Sequence, residues 1–141
     1  MNHIEELVAE FNEQITKYQP PNTPTMITGA LVELRVMQMQ EELDEILVAL
    51  VSNDLVETID GLMDLIYFAI GTLHLVGVHR EKFNTIFQII HEANMRKVSG
   101  IKPTRFIPGV PEHLHPTDAI KPEGWEAPNE IIRSLLDDSS N

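Results

Sequence analysis

Cysteine is absent from the 141-residue sequence, which excludes disulfides and thiolate-bound metals, and nothing in the composition points to export. Basic residues are also scarce. Ten Lys and Arg stand against 22 Asp and Glu, a formal net charge of −12. Coating a phosphate backbone requires surplus cations, so this balance argues against a nucleic-acid-binding surface and suits cation binding better. Alternating strand patterns of useful length, fixed-period repeats and low-complexity blocks are missing as well. The opening MNHIEELVAEFNEQ has neither the basic n-region nor the apolar h-region of a signal peptide, so a cytoplasmic location is expected. The longest apolar run, residues 65 to 78, is read as too short for a bilayer span, and it contains His74.

What is present reads as helix. A first helix is expected over about 3 to 17, with Ile4, Leu7, Val8, Phe11 and Ile15 on one stripe. QPPNTP then stops it, because consecutive prolines cannot continue a helix. A second helix is predicted over roughly 25 to 51. SND at 52 to 54 supplies turn and N-cap chemistry before a third helix, about 54 to 77. A fourth, from near 80 to 98, carries Phe83, Ile86, Phe87, Ile90 and Ala93 inward. Beyond SG the composition changes: Pro103, Pro108, Pro111, Pro116, Pro122 and Pro128 mark an extended irregular arm, and PNEIIRSLLDD closes it as a short helix. The expected fold is all-α, an antiparallel bundle of four main helices. Residues 1–98 form its core, and 99–141 form a Pro-rich C-terminal arm of the same domain.

The acids carry the chemistry. Positions 31, 34, 38, 41 and 45 are spaced 3 and 4 apart and read Leu, Leu, Gln, Glu, Glu, with Glu42 beside them. In the third helix Asp60 and Asp64 stand at the front of an apolar run, DGLMDLIYFAIGTLHLVGV. A turn centred near 52 and 53 folds the two helices antiparallel, so Glu45 is expected opposite Asp60 and Glu41 opposite Asp64. Converging carboxylates repel strongly in a partly buried site unless a cation joins them, and a set of oxygens alone suits Mg²⁺ or Mn²⁺. The alternative is a solvated acidic helix face. Glu-x-x-His is lacking, and HEANM at 91 lacks a second histidine, so di-iron and zinc-protease readings fit less well. His74 reads as a satisfied core histidine, and His113 and His115 as solvated loop residues.

Together, LRVMQMQEELDEI, DGLMDLIYFAIGTLHLVGV, EANMRKVSG and KPEGWEAP resemble the MazG-like, all-α nucleoside triphosphate pyrophosphohydrolases, including the phosphoribosyl-ATP pyrophosphohydrolase-like branch. The EExxE motif is present as Glu41, Glu42 and Glu45. The usual ExxD is altered: Asp64 holds the aspartate place, but Gly61 stands three residues earlier and the acid has moved to Asp60. Glu57 with Asp60 also spells ExxD, a register that leaves Asp64 unexplained.

The resemblance implies hydrolysis between the α and β phosphates, releasing a nucleoside monophosphate and pyrophosphate. It implies Mg²⁺, with Mn²⁺ as a substitute, on Glu41, Glu42, Glu45, Asp60 and Asp64, and Glu41 or Glu42 as the catalytic base. Lys97 matches the family's lysine after the last long helix, and Asn94, one turn earlier, can reach the same ligand. For Lys97 a plain C-terminal helix cation is the alternative. Trp125 either stacks on a base or pins the arm to the core, with pinning preferred, and Lys121 is a candidate phosphate contact from a neighbouring subunit. The expected substrate is a (deoxy)nucleoside triphosphate, with a purine such as dGTP as the first assay. The expected assembly is a homodimer or homotetramer without membrane or nucleic-acid partners. The rivals are a non-catalytic acidic helical protein that binds a cation or partner, and an enzyme of the same scaffold acting on dUTP or phosphoribosyl-ATP.

Overall fold

The computed structural model describes residues 3–138. Five helices account for most of them: α1 (Ile4–Gln14), α2 (Ala30–Val51), α3 (Leu55–Val76), α4 (Arg80–Met95) and α5 (Asn129–Asp138). A two-stranded antiparallel ribbon, β1 (Val98–Gly100) with β2 (Asp118–Ile120), interrupts the arm expected to be irregular. The class is all-α, as the helical periodicities imply. The chain divides into two compact units, Met1–Asn84 and Thr85–Asn141, each described by itself.

In the first unit α2 and α3 form the antiparallel hairpin expected around residues 52 to 54. Asp54 caps α3, its carboxylate accepting the Glu57 N–H at 3.1 Å. Gly77, at φ +91°, ends α3 in the left-handed conformation that a side chain resists. The segment expected to open the second helix, residues 25 to 29, stays outside it, and α2 starts only after Gly29. Two glycines set how closely the helices of this unit approach. A Cβ on Gly61 would lie 2.7 Å from Ile46 Cγ1, and one on Gly71 would lie 2.7 Å from an Arg35 guanidinium nitrogen and 3.4 Å from Val8.

The buried stripes differ from those read off the sequence. α1 buries Glu5, Val8, Ala9 and Asn12, while Ile4, Leu7, Phe11 and Ile15 face outward. The reason is hydrogen bonding. Asn12 Nδ2 donates to the Gly71 carbonyl at 3.2 Å and meets His74 Nδ1 at 3.0 Å, and Asn84 Nδ2 donates to Glu5 at 3.0 Å, so polar residues take the inner face. On α2 the buried residues are Arg35, Ile46 and Ala49, with Gln38 and Glu42 half-buried between them. Arg35 replaces Leu34 there because its guanidinium donates to the Phe68 carbonyl and the Thr72 hydroxyl, both at 3.0 Å. Burial lowers its pKa.

α3, 22 residues long with an 18-residue stretch of mean hydropathy 1.5, is long and apolar enough to cross a membrane by length and composition. The apolar run that starts at residue 65 is therefore only part of a longer apolar helix. A core helix passes the same test, and α3 packs on α2 at Gly61 and on α1 through Gly71 and His74.

In the second unit α4 delivers the chain to β1, and β2 pairs with it in the register Val98 with Ile120, Ser99 with Ala119 and Gly100 with Asp118. Arg105 clamps Asp118 through one nitrogen, at 2.9 and 3.1 Å to the two carboxylate oxygens. His115 is not a free solvated residue. It stacks on Phe106 at 3.9 Å, accepts the Ile107 N–H on Nε2 at 2.8 Å and meets the Pro111 carbonyl through Nδ1 at 3.2 Å. Outward-facing Phe87, 63% exposed, departs from the inward face expected for the fourth helix, whereas Ala93 is buried.

Candidate active site

The acids sit on the α2–α3 hairpin. Its register follows from the two close approaches, Ile46 against Gly61 and Arg35 against Gly71. Between them Glu42 falls opposite Asp64. This corrects the expected facing of Glu41 with Asp64 by one residue. The cause is again the stripe of Arg35, Gln38, Glu42 and Ile46, which turns α2 so that Glu41 lies exposed along an outer groove with Val32, Val36 and Met37.

Glu42 is the electrostatic centre of the group. Its pKa is raised, first by desolvation and then by repulsion from Glu45, Asp64 and Asp60. One carboxylate oxygen, Oε2, is buried and has no hydrogen-bond partner. Gln38 Oε1, one turn earlier, is in the same condition. In the sequence Gln38 is a seam position without a role; its signal is its place one helical turn before Glu42. Asp64 is half-buried, whereas Glu45 and Asp60 are exposed. At the hairpin end, Glu45, Asp44, Asp54 and Glu57 line a cleft of about 370 Å³, which gives Glu57 a shared border with Glu45.

These donors fit a hard divalent cation. They are oxygens only, they repel one another, and two of them are buried without a partner, a combination that is unfavourable unless a cation or water completes it. Among the described residues, no three His, Asp or Glu side chains are gathered as a finished metal cage.

The other candidates belong to the second unit. Asn94 is exposed near the end of α4, and its carbonyl accepts the Lys97 N–H at 3.0 Å. Trp125 Nε1 donates to the Ala93 carbonyl at 2.8 Å, which ties the arm to α4. The Lys97 and Lys121 ammonium groups lie 5.1 and 5.0 Å from the centre of the Trp125 ring. Arg96 borders a cleft beside Trp125, with Glu123 and Glu126.

Outside both groups, His74 is 1% exposed. Its Nε2 lies 3.6 Å from Glu13 without a hydrogen bond, and His79 meets it edge-on at 5.3 Å. Burial lowers the pKa of both imidazoles.

No curated protein matches the chain. The family model described as phosphoribosyl-ATP pyrophosphohydrolase matches residues 8–94, a span that contains the α2–α3 hairpin and all its acids and stops three residues before Lys97. Such enzymes cleave a pyrophosphate bond of a nucleotide with the help of a divalent metal, which is the chemistry that an oxygen-only acidic hairpin suits. With well over half of its length inside that match, the chain belongs to the phosphoribosyl-ATP pyrophosphohydrolase family and is a nucleotide pyrophosphohydrolase of the all-α type.

Proposed function

We propose that the protein hydrolyses a (deoxy)nucleoside triphosphate, a purine such as dGTP being the first candidate, to the monophosphate and pyrophosphate with Mg²⁺ as its metal. The observation that carries this reading is Glu42: a half-buried carboxylate with an orphaned oxygen, facing Asp64 and crowded by Glu45 and Asp60. In this reading Glu42, Glu45, Asp60 and Asp64 hold the cation, and Gln38 adds a neutral oxygen. Glu41, assigned to the same set from the sequence, stays on the outer face. A bound divalent ion supplies charge neutralisation and polarisation of the phosphate oxygens.

The chain's own contribution is geometric and electrostatic. A water oxygen adds to phosphorus at the α–β linkage, the bridging P–O bond breaks, and pyrophosphate leaves. Of the two carboxylates considered as base, Glu42 is the better supported, since it alone lies among the other acids. It takes the water's proton. Asn94, Lys97, Lys121 and Trp125 serve as substrate contacts. Residues 1–98 supply the catalytic core and 99–141 the arm of the same domain, in the cytoplasm. A homodimer or homotetramer is supported by the apolar residues left exposed on the hairpin, among them Val56 at 73% and Leu55 at 71%.

The second reading, phosphoribosyl-ATP as substrate, is favoured by the description of the matching family itself. One panel separates the two: each (deoxy)nucleoside triphosphate, dUTP included, and phosphoribosyl-ATP are incubated with Mg²⁺, and pyrophosphate and monophosphate are measured. Turnover of a nucleoside triphosphate is the expected result. Turnover of phosphoribosyl-ATP alone supports the second reading. No turnover of any substrate, together with an Asp64→Ala variant unchanged in metal affinity and stability, overturns the assignment of the acids.

A further inference from the structure

Helix α1 is held in its unit by few apolar contacts. It buries Val8 and Ala9, while Ile4, Leu7, Phe11 and Ile15 stay exposed, Phe11 meeting Tyr67 edge-on at 5.4 Å between ring centres. Buried polar contacts therefore carry much of the docking. Asn84 Nδ2 donates to Glu5 at 3.0 Å, and Asn12 engages both Gly71 and His74 of α3.

The Asn12 contact fixes where protons can stand. Asn12 is 2% exposed, and its Nδ2 donates one hydrogen to the Gly71 carbonyl at 3.2 Å and faces His74 Nδ1 at 3.0 Å with the other. Turning the amide over would set its oxygen against the Gly71 carbonyl, two acceptors at hydrogen-bonding distance, so the nitrogen belongs there. His74 Nδ1 must then accept. The single proton of the neutral ring sits on Nε2, 3.6 Å from a Glu13 oxygen. A second proton has only Nδ1 to go to, where it meets the N–H of Asn12.

The surroundings of the ring do not compensate that clash. Asn12 and Glu13 face it from α1, His79 lies edge-on at 5.3 Å with its own Nδ1 buried and unpartnered, and Arg80 stands at the start of α4. From α2, Arg35 reaches the same glycine that Asn12 binds, and Lys82 acts on His79. Burial and the Arg80 charge both oppose an imidazolium at position 74. Glu13 favours one, but its side chain is 40% exposed, so water screens the attraction.

We infer that the Asn12–His74 pair is a pH-sensitive latch: with His74 neutral it docks α1 on α3, and a second proton on Nδ1 breaks it and lets α1 detach from a hairpin that stays folded. The Asn84 contact does not respond in this way, because an amide donor needs only an oxygen on Glu5, which either form of a carboxyl group offers. The α2–α3 pairing has contacts of its own, Ile46 against Gly61 and Arg35 on Phe68 and Thr72. The latch rests on this geometry and is independent of the nucleotide reading above.

Hydrogen exchange of the full-length protein, followed peptide by peptide and corrected for the intrinsic pH dependence of exchange, is compared at about pH 7.5 and about pH 5.5, on either side of the ordinary imidazole range. The α1 amides are expected to be less protected than those of the α2–α3 hairpin at both values, since α1 detaches without it. Their protection is expected to fall about tenfold on acidification, the loss that one imidazole of ordinary pKa about 6.5 supplies when only the detached state takes the proton. His74→Gln should lose most of this fall. His79→Gln should keep it, because Asn12 and His74 Nδ1 remain. Since a core substitution can itself loosen α1, the parent protein supplies a separate reading: long-range proton–nitrogen correlation spectra should show neutral His74 with its proton on Nε2.

The latch is overturned by a proton on Nδ1 of neutral His74, by α1 amides as protected as the hairpin, by α1 protection that does not change with pH, or by a His74→Gln variant that keeps the full fall.

Discussion

The α2–α3 hairpin and the β1–β2 ribbon each bring like charges together, but of opposite sign and by different means. Helix register sets Glu42 opposite Asp64 beside two close-packed glycine contacts, where burial and neighbouring acids raise the Glu42 pKa. Strand register sets Lys97 opposite Lys121 at the margin of a three-residue ladder, where one indole ring receives both ammonium groups. The acidic group is made costly by desolvation, a cost that a bound cation would offset. In the basic group Lys121 is exposed and Lys97 half-buried. Half of the chain's ten basic residues fall between positions 96 and 121, although its net charge is −12.

The sharpest way to break the acidic side of this comparison is Asp64→Asn. Turnover is expected to fall by at least about 100-fold, the scale of losing one group that stabilises charge in a transition state. The same change removes a repelling charge, so the thermal midpoint measured in chelator is expected to rise. A fall would count against mutual repulsion among these carboxylates.

Next in size is Gly61→Ala. Its new methyl would meet Ile46 Cγ1 at 2.7 Å, and forcing the helices apart is expected to cost about 1–3 kcal/mol, read from the urea midpoint. Gly71→Ala should cost less, because one of the atoms it meets is the movable end of Arg35.

A pH series tests the buried imidazoles. His74 and His79 have folded pKa values below the ordinary 6.5, so the unfolded chain binds more protons between the lowered values and 6.5. Their contribution to stability is therefore complete above pH 6.5 and lost as pH falls through that window. Chemical denaturation at several pH values should show this rise, and His74→Gln should flatten it. Asn12 and Glu13 meet His74, and Arg80, Lys82 and the partner imidazole act on His79, so these groups set the local field.

The smallest effect is expected at Arg35→Met. The Phe68 carbonyl that Arg35 binds also accepts the Thr72 hydroxyl at 2.7 Å, so the substitution leaves it a side-chain partner while removing a desolvated charge. A change within about 1 kcal/mol is expected by equilibrium denaturation. A much larger loss would mean that the two hydrogen bonds of the guanidinium outweigh the cost of burying its charge.

The helices are legible in the sequence because their signals are local. The prolines after Gln19, Asp54 as a cap and Gly77 as a stop act within a turn of themselves, and the main boundaries follow. The exceptions are the start of α2, where residues 25 to 29 signal their conformation weakly, and the ends of α1 and α4, which stop at Gln14 and Met95 rather than near 17 and 98, with Val98 already in β1. The hairpin register departs by one residue from the one that residue type suggests. An apolar seam through Leu31 and Leu34 is the natural choice, but Arg35 finds a carbonyl and a hydroxyl on α3, which residue type does not reveal. α1 repeats the lesson: Asn12 and Glu5 are inside because their partners, Gly71, His74 and Asn84, lie about sixty to eighty positions away in the chain. The ribbon escapes a reading of the sequence for a related reason. Three-residue strands in a Pro-rich segment have too little periodicity to register, and their pairing joins residues twenty apart.

The sequence by itself determined the helical class, the hairpin, and the gathering of acids near its turn, since periodicity, capping and charge act over neighbouring residues. It also determined that the chain is short of cations and has one tryptophan. Which glutamate faces Asp64, which oxygens are left buried without partners, and which lysines meet on that tryptophan were decided only by tertiary structure. Those outcomes depend on how closely two backbones approach and on hydrogen-bond partners remote in sequence, and neither is encoded in the local pattern of residue types.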